Sequence, residues 1–110
     1  MEVYEVPFDP EKVPYRVRLH LPGARRPVLV EYNWNYVGGY FTFAILDEKT
    51  GELRWKRPML YGLDLLLGCT LPELWGWGIV VGDWTGAGLR GVTLADWRAG
   101  NVKLWAYRRG

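Results

Sequence analysis

Between Glu31 and Leu67 the hydrophobic pattern points to a β-meander. Val28, Val30, Tyr32, Trp34 and Tyr36 share one face of an extended segment, and Glu31, Asn33 and Asn35 share the other. Gly38-Gly39 then supplies the positive φ angles that a tight hairpin demands. The return strand, Tyr40 to Asp47, carries Phe41, Phe43 and Ile45 on one face and Tyr40, Ala44 and Leu46 on the other. A strand apolar on both sides must be central in a sandwich, wrapped in a barrel or covered by a partner. Asp47-Glu48-Lys49-Thr50-Gly51 makes the next turn, with Asp47 starting it and Gly51 feeding a bulge. Leu53 and Trp55 alternate with Glu52, Arg54 and Lys56 until Pro58 ends the third strand. Gly62–Gly68 reads as one short helical turn, with Asp64 placed for the helix dipole and Gly68 at C′.

The flanking segments repeat the period of two. Tyr4, Val6 and Phe8 form a short first strand closed by Pro7 and Pro10, and Tyr15, Val17, Leu19 and Leu21 alternate with Arg16, Arg18 and His20. Trp77 to Val81 is a further strand, Gly82 to Gly91 an adaptable loop, and Val92 to Gly100 irregular. Val102 to Arg109 closes the chain as a strand. A mainly β fold follows: one domain over residues 1–110, built as a small antiparallel β-sandwich or β-barrel with a single helical turn.

Several chemistries are closed to such a chain. It has no Ser and no Gln, one His (His20) and one Cys (Cys69), so a Ser-His-Asp triad is excluded, and these two fall short of a zinc ligand set. Cys69 reads as a small buried hydrophobe. The acids Asp47, Glu48, Asp83 and Asp96 fall on loops, where carboxylates form turns or meet solvent; a spatial pair such as Asp83 with Asp96 stays open. The run GDWTGAGLRG lacks the Lys-Ser/Thr ending of a phosphate-binding loop. The expectation is a non-enzyme with no cofactor and no metal.

A formal charge of +2 spread among interspersed acids gives no strong field, and Arg16 and Arg18 are expected to pair with acids such as Glu31. No apolar run is long enough to span a bilayer, and MEVYEVPFDP does not resemble a signal peptide. Ten Arg against four Lys, with few amides and hydroxyls, suits a thermophilic or GC-rich source.

The excess is aromatic, with seven Trp and seven Tyr. A domain of this size struggles to hide seven indoles, and Trp favours boundaries where one edge meets a partner. Trp75, Trp77, Trp84 and Trp97 lie in Gly-rich or irregular segments and are the candidate partner contacts, together with Tyr40 on the doubly apolar strand. Trp34, Trp55 and Trp105 fall on strands and are expected in the core. Two other uses of such aromatics stand beside assembly: base stacking on a small single-stranded nucleic-acid-binding barrel bearing Arg16, Arg18 and His20, and a carbohydrate-binding module.

Taken as a set, certain spacings resemble one family. They are Tyr4-x-Val6-Pro7, Tyr32-x-Trp34-Asn35, Gly39-Tyr40-Phe41-x-Phe43-x-Ile45, Asp47-x-x-x-Gly51, Pro58-Met59-Leu60-x-Gly62-x-Asp64-Leu65-Leu66 and Leu104-Trp105-Ala106-Tyr107. The chain resembles in these the small plug-type baseplate proteins of contractile-tailed phages, known from cyanophages and related prophages. The resemblance implies a compact, mainly β virion protein at the tail tip. It would be assembled in the host cytoplasm against hub, spike or tube proteins, without enzymatic role, membrane or nucleic-acid partner, its oligomerisation set by the assembly. The sequence departs from that pattern after Leu74, where Asp96-Trp97 stands in place of Asp-Asn followed by Leu-Gly.

Overall fold

A computed structural model describes residues 2–24, 26–83 and 93–109. The chain is mainly β. Its strands are β1 (Val3–Val6), β2 (Tyr15–Leu19), β3 (Val28–Asn35), β4 (Tyr40–Leu46), β5 (Leu53–Pro58), β6 (Trp77–Asp83) and β7 (Val102–Arg108). They form two antiparallel sheets, a four-stranded one ordered β2-β3-β4-β5 and a three-stranded one ordered β1-β7-β6. The architecture is a small sandwich, and the alternation in the sequence gives its facing surfaces. Val28, Val30 and Tyr32 of β3 and Phe41, Phe43 and Ile45 of β4 meet Ile79 and Val81 of β6 and Leu104 and Ala106 of β7 in one buried core.

Four local readings change. Gly38-Gly39 is not a two-residue hairpin: the turn runs over residues 36–39, and of the two glycines only Gly39 has positive φ, at 71°. Gly38 is needed for another reason, since a Cβ there would overlap the Tyr40 ring. Gly62–Gly68 is not helical but a run of turns, and Asp64 caps no helix. Among the described residues the α-helix is α1 (Leu94–Ala99), in the stretch expected to be irregular. Thr93 and Asp96 form a reciprocal capping box at its start, and Gly100 ends it in the left-handed conformation. Pro72–Leu74 adds a single 3₁₀ turn.

The doubly apolar strand β4 is an inner strand of the sandwich, one of the settings its pattern allowed. On the outer side of β4, Thr42, Ala44 and Leu46 are buried by the chain itself. Ala44 lies between Glu31 and Lys56, Thr42 between Asn33 and Pro58, and Leu46 between Leu29 and Leu53. Ala44, a small residue between the long side chains of Glu31 and Lys56, suits cover by their aliphatic stems, and Thr42, Ala44 and Leu46 are all buried within the described chain.

What closes the sandwich is the segment after β5. Its backbone crosses from one sheet to the other: Met59 N–H donates to Phe41 O at 2.9 Å, and Leu65 N–H to Ile79 O at 2.7 Å, with bridges Tyr61–Val81 and Asp64–Val80. Leu65 and Leu66 are thereby driven into the core, while Trp55 Nε1–H donates to Leu65 O at 2.7 Å. Asp64 fastens the crossing. Its Oδ1 accepts from the backbone of Leu66 at 2.9 Å and Ile79 at 3.2 Å, and its Oδ2 accepts from Tyr107 OH at 2.7 Å and from the Arg109 guanidinium. Burial alone would raise the Asp64 pKa, but the donors of Tyr107, Leu66, Arg109 and Ile79 outweigh it and hold the carboxyl below its ordinary 3.8.

Because that pKa is depressed on folding, the stability it confers is present above about pH 4 and is lost as pH falls through the folded value. Asp64→Asn is expected to destabilise the chain by about 1–3 kcal/mol at pH 7, the cost of leaving buried donors unmatched. In urea titrations the gap between the native chain and the variant should narrow below pH 4; a gap that stays constant to pH 2 would refute the ionic role.

Candidate interaction surface

The seven indoles do not lie where composition places them. Trp77 and Trp97, expected at a partner surface, are buried. Trp77 begins β6 on the inward-facing parity, packs 5.8 Å from the Tyr4 ring and carries the Arg108 guanidinium 4.8 Å from its own. Trp97 sits on α1 with Phe8 at 5.1 Å and Phe41 at 6.0 Å, so helix formation turns it inward. Both are corrected from contact residues to core. Trp84 lies outside the described residues. Tyr40 is half-buried, its hydroxyl accepting from Asn35 Nδ2 at 3.1 Å. Only Trp75 of the described candidates is displayed, at 86% exposure.

The strand tryptophans shift the other way. Trp34, Trp55 and Trp105 are half-buried rather than core. Trp55, on the edge strand β5, holds Arg57 3.9 Å over its ring. Trp105 and Tyr107 lie on the outer face of the smaller sheet, above Gly82 and Gly78, where any Cβ would strike them.

The charged candidates are engaged. Arg16 pairs with Glu31 at 2.7 Å, as expected, and Arg18 with Glu48 at 2.8 Å. His20 Nε2 is 2.9 Å from Ala24 O. Asp47 accepts from the backbone of Lys49 and Thr50, which lowers its pKa, so it is a turn former. Asp96 spends its carboxylate on Thr93 at the start of α1, and Asp83 ends β6 opposite Val102. Cys69 is half-buried. Among the described residues no group of three or more His, Cys, Asp or Glu side chains is gathered to hold a metal ion.

Two displays among the described residues stand at opposite ends of β3. Beyond its C-terminal end, the turn carries Tyr36 and Val37 at 89% and 100% exposure. This turn is braced rather than loose. Asn35 Oδ1 accepts from Val37 N–H and Gly38 N–H, both at 3.0 Å, and Asn35 O accepts from Gly39 N–H at 2.8 Å. The sequence pattern extends the strand through Tyr36; Asn35 does end β3, and Tyr36 alone passes into the turn.

Before the N-terminal end of β3, a cleft of about 360 Å³ opens between Gly23, Ala24, Arg26, Pro72, Glu73, Trp75, Trp77 and Arg108. Its charges were not singled out from sequence, because Arg26, Glu73 and Arg108 come from three separate segments without shared periodicity. Arg108 is fixed by donation to Pro22 O at 3.0 Å, whereas the Arg26 side chain is 77% exposed. No protein-family model matches the chain, and no curated protein matches it.

The indoles give a direct check on this placement. Trp97→Ala is expected to lower unfolding free energy by about 3–5 kcal/mol, the cost of an emptied aromatic site. Trp75→Ala should change it by less than about 0.5 kcal/mol, as a surface substitution does. Urea denaturation of both variants decides the matter, and equal losses would invalidate the assignment of core and surface.

Proposed function

We propose that the chain is a non-catalytic structural component of a phage or phage-like tail, seated in the baseplate against hub, spike or tube proteins. The observation that carries this reading is the braced apolar turn at Tyr36 and Val37. A lone protein gains nothing by holding two large apolar side chains fully in water. A docking protein does gain, because a turn already fixed by Asn35 loses little entropy when a partner closes over it. Tyr36 has the aromatic body and polar tip favoured at interface hot spots. The resemblance of its residue spacings to plug-type baseplate proteins supports the same reading, with the virion as its location.

The nucleic-acid reading of the β2 face loses its support. Arg16 and Arg18 each have a carboxylate partner, so that face offers little net attraction to phosphate.

Co-expression with the proteins encoded beside this chain tests the proposal. The expected outcome is a stable complex with at least one of them, and a roughly 30-fold or greater loss of affinity in the Tyr36→Ser, Val37→Ser double variant, as befits a hot spot of 2 kcal/mol or more. A chain that stays monomeric and binds none of those proteins would sink the reading.

A further inference from the structure

We infer that the cleft beside Trp75 is a binding site for a purine nucleoside monophosphate, with guanine as the base. Nothing in this inference depends on the assembly role.

Glu73 is the starting point. Its side chain is only 10% exposed, yet its carboxylate is poorly served. Oε1 has Arg54 Nη1 at 3.5 Å and Arg26 Nε at 3.7 Å, both long for charge-assisted hydrogen bonds, and Oε2 is buried with no hydrogen-bond partner at all. A carboxylate in that condition calls for N–H or O–H donors. It lines the cleft, and a shift of the side chain's rotatable bonds turns both carboxylate oxygens toward an arriving ligand.

Three further features narrow the ligand. Trp75 stands at the cleft wall with its indole almost wholly exposed, a face for stacking another flat ring. The lining carries two guanidiniums against one carboxylate, so it favours an anion over a cation, and Arg26 is the one held loosely enough to turn to a phosphate. The volume, about 360 Å³, lies in the range of small-molecule sites.

A flat ring, a donor edge and an anion in one small molecule describe a nucleotide. Guanine presents two adjacent donors, N1–H and N2–H, which match the two oxygens of a carboxylate. Adenine puts its N1 acceptor in that place and is repelled. In the complex the base stacks on Trp75, its donor edge meets Glu73, and the phosphate lies against Arg26.

Equilibrium dialysis of the purified chain with labelled GMP, AMP, guanosine and ribose 5-phosphate tests the site. GMP should bind with a Kd below about 1 mM. Guanosine and AMP should each bind more weakly, and ribose 5-phosphate should bind too weakly to measure. Trp75→Ala, at an exposed position, should lower GMP affinity roughly 5- to 150-fold, the worth of one base stack. Glu73→Gln should abolish the preference for GMP over AMP, with circular dichroism checking that the variant is folded. No saturable GMP binding overturns the inference, as does AMP or ribose 5-phosphate binding as tightly as GMP. Unchanged GMP affinity in Trp75→Ala overturns it equally.

Discussion

The contact on which the rest of this structure depends is the Asp64 carboxylate at the seam between the two sheets. Four donors from three parts of the chain converge on it: its own turn through Leu66, β6 through Ile79, and the C-terminal strand region through Tyr107 and Arg109. A half-buried carboxylate gives up part of its hydration and is stabilising only when its lone pairs are matched, and here they are. The match fixes where the segment after β5 crosses, and so where Leu65 and Leu66 enter the core. It also sets the Tyr107 ring flat over Gly78, which lets β6 and β7 approach with no side chain between that ring and the β6 backbone.

That contact was the least visible in the sequence. Seven strands could be read because period-two alternation is a local signal, strong from Tyr15 to Leu19 and from Val28 to Ile45. Asp64 looked like a helix-cap residue because it precedes Leu65-Leu66-Leu67 and Gly68 follows, a pattern helices and tight turns share. The decision was made by β6, which offers Ile79 and Val80 as backbone partners to the passing chain. Seven residues hold too little intrinsic helicity to resist that. The true helix carried a legible cue in Thr93-x-x-Asp96 with Gly100 after it, but its six residues are too few for the apolar period to show.

The tryptophans were inverted for a related reason. Glycine beside Trp reads as an exposed loop, yet Gly78 is glycine because a ring from the next strand lies on it, and Trp77 beside it faces inward. Periodicity states which face a side chain takes. It does not state how far the opposing sheet extends, and Trp55 on the edge strand β5 stays half-buried, covered by Arg57 and tied to Leu65. Likewise the burial of Thr42, Ala44 and Leu46 depends on which residues of β3 and β5 flank them across the ladder, a relation that needs strand order.

With the outer side of β4 buried within the described chain, contact with neighbours falls to other surfaces, and the two displays flanking β3 differ in kind. They lie at opposite ends of β3, whose eight residues separate them by roughly 25 Å at ~3.3 Å per residue. At one end a turn fixed by Asn35 offers Tyr36 and Val37, apolar and convex, a shape that fits into a partner. At the other a concave cleft offers two guanidiniums, an under-served carboxylate and one bare indole, a shape that admits a ligand. A convex apolar tip gains by excluding water over a broad area, whereas a polar cleft gains by matching individual donors and acceptors. One ligand chemistry cannot serve both ends. The extended backbone of β3 itself keeps those ends apart.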